Sequence, residues 1–244
     1  MDSSRLEMGL LEARALTYKI ISTGFIKPPD AQLIKLTCQE KLFESFPLKL
    51  NTEGFLYGLD QLKLWCNQIN TEQIGEVVAE LKNDFNQLFV GPHHLMAPPW
   101  ESVYLTEEKL TFDRITLNVR EFYRRHGLEF TLINREPDDH FAVELEFMEQ
   151  LINRQIQHIK RNQYEDAFFL IREQEAFLKL HLIKWTPLFT HSVLESAQTD
   201  YYQGLARLAH DFIEWDYEHL SKIDVDKPMW LTKESKDEWE VEKC

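Results

Sequence analysis

Residues 136–148 have the sequence EPDDHFAVELEFM, in which a proline, acidic residues and a histidine precede a long amphipathic pattern. Pro137 cannot continue a preceding helix, and Asp138 or Asp139 can accept hydrogen bonds from the free N–H groups of a first helical turn. Beyond this start, apolar residues recur at steps of three and four: Phe141, Leu145, Met148, Ile152, Ile156 and Ile159. The sequence therefore predicts that a helix begins here and buries one face in the core.

The composition is that of a helical globular protein. The chain has 244 residues, of which 43% are hydrophobic, and only 8 are glycine and 9 proline. Such a chain can bury a sizeable core, but it has few of the turns that a sheet-rich fold needs. We therefore expect an all-α, single globular domain of about ten helices in two packed groups over residues 1–223, followed by an acidic C-terminal tail, residues 224–244.

Periodicity and capping signals place the helices along the chain. We predict helices over residues 6–21, 55–69, 74–88, 114–125, 138–161, 165–183, 187–196 and 200–223, and we expect the first two to pair. Residues 93–113 are expected to form a surface loop, because Pro98 and Pro99 exclude a regular helix there. Residues 128–135 lack a pattern and are the best candidate for a hinge.

Charge and cysteine content limit the classes of partner. The chain has 27 Lys and Arg against 41 Asp and Glu, so its net charge of -14 repels phosphate backbones and argues against nucleic acid as a ligand. Its three cysteines, Cys38, Cys66 and Cys244, are odd in number and far apart in sequence, which fits a reducing cytoplasm. No segment has the apolar length of a membrane span, so we expect a soluble cytoplasmic protein without membrane insertion.

Three sequence blocks carry a resemblance to a known family. Residues 136–148 match every specified position of Glu-Pro-x-Asp-His-x-x-x-Glu-Leu-x-Phe-Met, the signature of the TorD/DmsD family of cytoplasmic redox-enzyme maturation chaperones. DFNQLFVGP (84–92) followed by APPWESVY (97–104), and FLKLHLIKWTPLF (177–189), also agree in order and spacing. Three blocks in the right order are much harder to obtain by chance than one short motif.

The resemblance implies a function without catalysis. A member of this family binds the twin-arginine signal peptide and the apo-form of a molybdenum-containing oxidoreductase subunit, and assists cofactor loading before export. The twin-arginine export machinery is an implied further partner, and no cofactor or metal is expected in the chaperone itself. Two alternatives stay open: a nitrate-reductase-type assembly chaperone with a non-exported client, and a small helical metal-dependent enzyme.

The resemblance also implies a peptide-binding site at the 136–148 block. Glu136, Pro137, Asp139 and His140 would form one wall of a cleft, whereas the alternative explanation is a helix cap with an internally bonded histidine. We expect His140 to lie in the first helical turn and to be cationic, because Asp139 and Glu144 are its neighbours.

The opposite wall is expected from the 97–104 block. Trp100, Ser102 and Tyr104 are favoured as its residues, since aromatic rings accept both apolar and cationic segments of a peptide. The alternative is that these aromatics only attach a loop to the core. For His181 and Trp185, which also match the family, packing is the favoured explanation.

The hinge candidate has a consequence for assembly. If residues 128–135 open, one group of helices can exchange with its equivalent in a second copy. The sequence therefore predicts a monomer or a domain-swapped dimer.

Overall fold

The computed structural model describes residues 3–91, 94–106, 114–129 and 137–223, with side chains from residue 8 onwards. Over these ranges the chain is helical and has no strand; a single isolated β-bridge joins Trp100 to His140. The prediction of an all-α fold with about ten helices in packed groups is confirmed. The predicted acidic tail, residues 224–244, lies outside the described residues.

Ten α-helices follow one another along the described chain. They are α1 Ser3–Ile26, α2 Ala31–Gln39, α3 Glu53–Gln68, α4 Ile74–Phe85, α5 Glu101–Leu105, α6 Arg114–Arg125, α7 Phe141–Lys160, α8 Tyr164–Phe177, α9 Ile183–Ser196 and α10 Asp200–Ser221. Within these ranges, no helix is both long enough and apolar enough to cross a membrane.

Two π-helical turns extend these helices. Residues 86–90 continue α4 up to Gly91, whose φ of 86° needs glycine, and residues 178–182 join α8 to α9. The helix then runs through Pro187, so the predicted break between residues 183 and 187 is wrong. Pro187 is therefore an interior proline of α9, and because it has no N–H the i→i−4 hydrogen bond to the carbonyl of Ile183 is missing there.

The helices of the two halves of the chain are interleaved. α1 packs along α7 and α3 packs along α10, so the predicted pairing of α1 with α3 is wrong. Glycines permit the second contact: a Cβ atom on Gly58 would lie 2.9 Å from the carbonyl oxygen of Gly204. Close backbone approach thus selects α10 as the partner of α3, a choice that helical periodicity does not encode.

The N-terminus of α7 lies inside the hydrophobic core. Phe141, its first residue, is fully buried, and its ring packs against Phe25 of α1 and against Trp185 and Phe189 of α9. The residues that immediately precede Phe141 are therefore held next to a buried aromatic cluster.

Candidate functional site

The structure brings the 97–104 and 136–148 blocks into direct contact. In the bridge between Trp100 and His140, the backbone N–H of Glu101 donates to the carbonyl of Asp139 at 3.0 Å. The backbone N–H of Phe141 donates to the carbonyl of Pro99 at 2.8 Å. Two motifs that are far apart in sequence therefore form one hydrogen-bonded unit.

Asp139 is fully buried and links three segments of the chain. Its Oδ2 accepts from the backbone N–H of Ser102 at 2.8 Å, and its Oδ1 accepts from the Thr116 hydroxyl at 2.8 Å. Ser102 lies in the first turn of α5, so Asp139 caps α5. The prediction that Asp138 or Asp139 caps α7 is therefore wrong for Asp139. Residues 101–105 are thus an inward-facing helix within a segment predicted to be a surface loop.

Asp138 attaches α6 to the same unit. Its Oδ2 accepts from Arg120 Nε at 2.9 Å and from Arg120 Nη2 at 2.6 Å, which raises the pKa of the guanidinium. The Tyr123 hydroxyl donates to the Asp138 carbonyl at 2.9 Å. Neither acidic residue is therefore free to cap α7.

His140 takes the capping position of α7. Its Nδ1 accepts from the backbone N–H of Ala142 at 3.2 Å, and burial lowers the pKa of the imidazole to about 4. The prediction of a cationic His140 is therefore wrong. Desolvation outweighs the nearby carboxylates, because Asp139 directs both of its oxygens to Ser102 and Thr116.

A buried polar network lies beneath the bridge. Nδ1 of His181, in the π-turn, is 2.8 Å from Oε2 of Glu101, and Trp185 Nε1 donates to Oε2 of Glu144 at 3.2 Å. All four residues are buried. Burial, together with the charges of Glu101 and Asp139, raises the pKa of Glu144 well above its ordinary value.

The sequence does not predict this network. Glu101 lies in a segment with the pattern of a loop, Glu144 is a family-signature position and a sequence neighbour of His140, and Thr116 belongs to no motif. His181 and Trp185 are buried, as packing requires, but they also direct polar atoms towards the two carboxyl groups. His181 and Trp185 belong to the third family block and lie four residues apart, so they share one face of a helix. This spacing is the sequence signal that indicates a common environment for the two side chains.

The predicted site residues differ in exposure. Trp100 and Tyr104 are half-buried, and the Tyr104 ring packs against Trp185 with 5.7 Å between ring centroids. Pro137, Ser102, Asp139 and His140 are buried, and Glu136 lies outside the described residues. The accessible surface of the described site is therefore aromatic, while its polar residues are directed inwards.

A groove with an acidic rim lies on another face of α7. Val143, Phe147 and Leu128 are among its apolar lining residues. Among the described residues, the charged groups around it are Glu129, Glu146, Glu149 and one cation, Lys19. Lys19 Nζ is 3.5 Å from Glu149 and 3.9 Å from Glu146. Partial burial raises the pKa of Glu146, and although Lys19 opposes this, Glu149 adds to it. The groove therefore carries more negative than positive charge.

The metal-dependent enzyme alternative gains no support from the described part of the chain. There, no three His, Cys, Asp or Glu side chains lie close enough together to hold a metal ion.

Comparisons with known proteins agree with the resemblance of the three blocks. The family model described as nitrate reductase delta subunit matches residues 53–191. The Tat proofreading chaperone DmsD of Salmonella typhi is 30% identical over 151 residues, which is 62% of this chain and 67% of the relative. The chaperone protein TorD of Vibrio vulnificus (strain CMCP6) is 30% identical over 141 residues, 58% of this chain and 64% of the relative.

The crystal structure of a redox enzyme maturation protein from Archaeoglobus fulgidus covers 87% of this chain and 93% of its own, with 19% identity and a TM-score of 0.42. The family assignment depends on the sequence matches, which extend over more than half of the chain. The chain belongs to the TorD/DmsD family of redox-enzyme maturation chaperones.

Proposed function

We propose that this protein is a molecular chaperone that binds the twin-arginine signal peptide of a molybdoenzyme subunit and assists the loading of its cofactor before export. It would act in the cytoplasm, on the apo-form of the subunit, and would catalyse no reaction itself. The family membership supports the chaperone role, and the relatives named as Tat proofreading chaperones favour an exported client. The observation that carries the proposed site is the backbone bridge between Trp100 and His140.

The bridge makes the aromatic segment rigid before any peptide arrives. Asp139 caps α5, so Trp100, directly before this short helix, and Tyr104, within it, belong to a segment that is hydrogen-bonded to the start of α7. A preformed surface loses less conformational entropy on binding than a mobile loop does. The apolar stretch of a signal peptide would pack on these half-buried rings, which also accept cations on their faces.

The predicted site residues then divide into two roles. Trp100 and Tyr104 would contact the peptide, whereas the buried Ser102, Asp139 and His140 would hold the contacting segment in place. Pro137 would direct the chain into the turn before α7. Glu136, outside the described residues, stays a proposed contact on the strength of the family resemblance.

Negative charge would bring the basic end of the peptide to the protein. The net charge of -14 attracts a segment with paired arginines over a distance. The groove between Glu146 and Glu149 offers apolar surface for an arginine side-chain stem and carboxylates for its guanidinium. Because the signal peptide orders only on binding, a moderate affinity is expected.

A labelled synthetic twin-arginine peptide tests the proposal by fluorescence anisotropy. Trp100→Ala and Tyr104→Ala should each weaken binding by about tenfold or more, as truncation of buried aromatic contacts does in other interfaces. Phe169→Ala is the matched control, because this ring is 56% exposed on α8 and packs against His126, and its removal should leave the affinity unchanged.

Two outcomes would contradict the proposal. If the wild-type protein binds the peptide no better than a version with both arginines replaced by glutamine, the twin-arginine motif is not what it recognises. If the two site variants bind as tightly as Phe169→Ala, the site is elsewhere. Identifying the chain that co-purifies from anaerobically grown cells would name the client, and a client without a signal peptide would favour the nitrate-reductase-type alternative.

A further inference from the structure

Two carboxyl groups lie side by side beneath the proposed peptide site. Glu101 on α5 is 1% exposed and Glu144 on α7 is 0% exposed, and they are close enough for the charge of Glu101 to raise the pKa of Glu144. Oε2 of Glu101 is 2.8 Å from Nδ1 of His181, and Oε2 of Glu144 accepts a hydrogen bond from Trp185 Nε1 at 3.2 Å. The second oxygen of Glu144, Oε1, is buried and accepts no hydrogen bond from an N–H or hydroxyl group of the described residues.

This arrangement is unfavourable if both acids are ionised. Two buried negative charges in contact repel each other, and Oε1 of Glu144 would have no donor. One proton removes both problems, because a protonated carboxyl group donates an O–H···O bond to its ionised neighbour. Glu144 is the group that holds the proton, since burial and the charges of Glu101 and Asp139 disfavour its ionised form, whereas Oε2 of Glu101 lies 2.8 Å from Nδ1 of His181, which can donate a hydrogen bond.

Within the part of the chain that the structure describes, the other titratable groups near Glu144 supply no compensating cation. Those that face it from the surrounding elements are Asp139 before α7, Tyr123 on α6, His181 in the π-turn and Glu101 on α5. His140, which caps α7, is neutral. The α1 cation that packs on α7, Lys19, pairs with Glu146 and Glu149 instead.

We propose that a proton held between Glu101 and Glu144 positions the peptide-binding segment, by joining α5 to α7 beneath Trp100 and Tyr104. The two glutamates are positioning residues, and the inference rests on the proposed function for the identity of the bound peptide. When the second acid ionises at alkaline pH, the bond is replaced by repulsion between α5 and the first turn of α7. Trp100 and Tyr104 then lose their fixed position, and peptide affinity falls.

Peptide affinity as a function of pH tests the proposal. A twin-arginine peptide with blocked ends and no other ionisable side chain should bind wild-type protein about tenfold more weakly at about pH 9 than at about pH 6, a change equivalent to about 1.4 kcal/mol. Glu144→Gln should bind the peptide with the same affinity at both pH values, because its side-chain NH2 group donates to Glu101 at any pH and its side-chain carbonyl accepts from Trp185.

Glu195→Gln is the matched control, since this carboxylate is exposed on α9 and should follow the wild-type profile. If Glu144→Gln loses affinity at alkaline pH as the wild type does, the proposal is wrong.

An infrared measurement separates this inference from the proposed function. At neutral pH in D2O, wild-type protein and Glu195→Gln should show the C=O band of a buried protonated carboxyl group, and Glu144→Gln should lack it. Absence of that band from the wild type would overturn the proposal even if the peptide binds.

If no peptide binds at any pH, the proposed function fails, and amide hydrogen exchange over residues 101–105 decides the inference. Exchange in wild type should become faster than in Glu144→Gln as the pH rises. Equal exchange at every pH would refute the positioning role.

Discussion

Arg14 on α1 and Asp216 on α10, which are 202 positions apart in the sequence, form an ion pair in the protein interior. Arg14 Nη2 donates to Asp216 Oδ2 at 3.0 Å, and the two side chains are 1% and 0% exposed. Tyr18 donates to the same carboxylate at 2.7 Å, and Arg14 also donates to Gln174 of α8 at 2.9 Å. The first and last described helices are thereby fixed to one another.

Asp216→Asn should lower the free energy of unfolding by about 3–5 kcal/mol, because it leaves the Arg14 guanidinium buried without an opposite charge. Urea denaturation followed by circular dichroism measures the change. Lys222→Met is the control, since it breaks an exposed pair with Glu218 and should have no measurable effect. A loss for Asp216→Asn as small as that of the control would show that the pair does not stabilise the fold.

His140→Asn should make the protein less sensitive to acid. The buried imidazole has a pKa of about 4, against 6.5 when exposed, so its neutral form stabilises the fold above about pH 6.5. As the pH falls from about 6.5 to about 4, wild-type protein should lose about 3 kcal/mol through this residue. Asparagine keeps a capping acceptor for Ala142 but cannot be protonated, so its unfolding free energy should fall less over the same range.

Urea titrations at several pH values give the unfolding free energy as a function of pH, and the slope of this dependence is compared between variants. His191→Asn removes an exposed histidine and should leave the wild-type slope unchanged. Equal slopes for His140→Asn and wild type would mean that His140 is not buried in its neutral form.

Asp139→Ala should reduce both stability and peptide binding. It leaves the Ser102 N–H and the Thr116 hydroxyl without their acceptor, a loss of about 1–3 kcal/mol for each buried group. Asp139→Asn should cost less on both measures, because the amide keeps one acceptor and the Thr116 hydroxyl can turn to accept from its NH2 group. If Asp139→Ala melts like the wild type yet fails to bind, Asp139 contacts the peptide directly instead of supporting α5.

Peptide association should depend on salt. Since the protein carries a net charge of -14 and the peptide paired arginines, raising the ionic strength should slow association more than it speeds release. Stopped-flow fluorescence separates the two rates. Association rates that are the same at low and high salt would exclude long-range steering by this charge.

Exchange between copies at residues 128–135 should be slow if it occurs. One half of the chain would have to leave its partners, because α1 packs on α7 and α3 on α10 across the exchange point. We expect monomers and domain-swapped dimers that separate by chromatography and interconvert slowly. Light scattering gives the molar mass of each separated fraction. A single monomeric species at all protein concentrations would exclude the exchange.

The positions of most helices follow from the sequence alone. The predicted helix at residues 114–125 has the bounds observed for α6, and the predicted helices at 55–69 and 200–223 differ from α3 and α10 by a few residues. Helical periodicity and end signals depend on residues within a turn or two of each other, so a local pattern is sufficient to find them. The family was also predicted from three local blocks and their order.

The partners of these elements were decided only by the tertiary structure. Asp139 has the spacing of a cap for the helix that follows it, yet it caps α5 because the fold places Ser102 and Thr116 beside it. His140 has acidic neighbours in sequence, yet it is neutral because burial outweighs them. Glu101 and Glu144, 43 positions apart, come close only when the bridge between Trp100 and His140 brings α5 to the start of α7. The hydrogen-bond partners of a residue and the dielectric constant around it are set by residues that are distant in sequence and become neighbours only in the folded protein. A local sequence pattern therefore does not predict them.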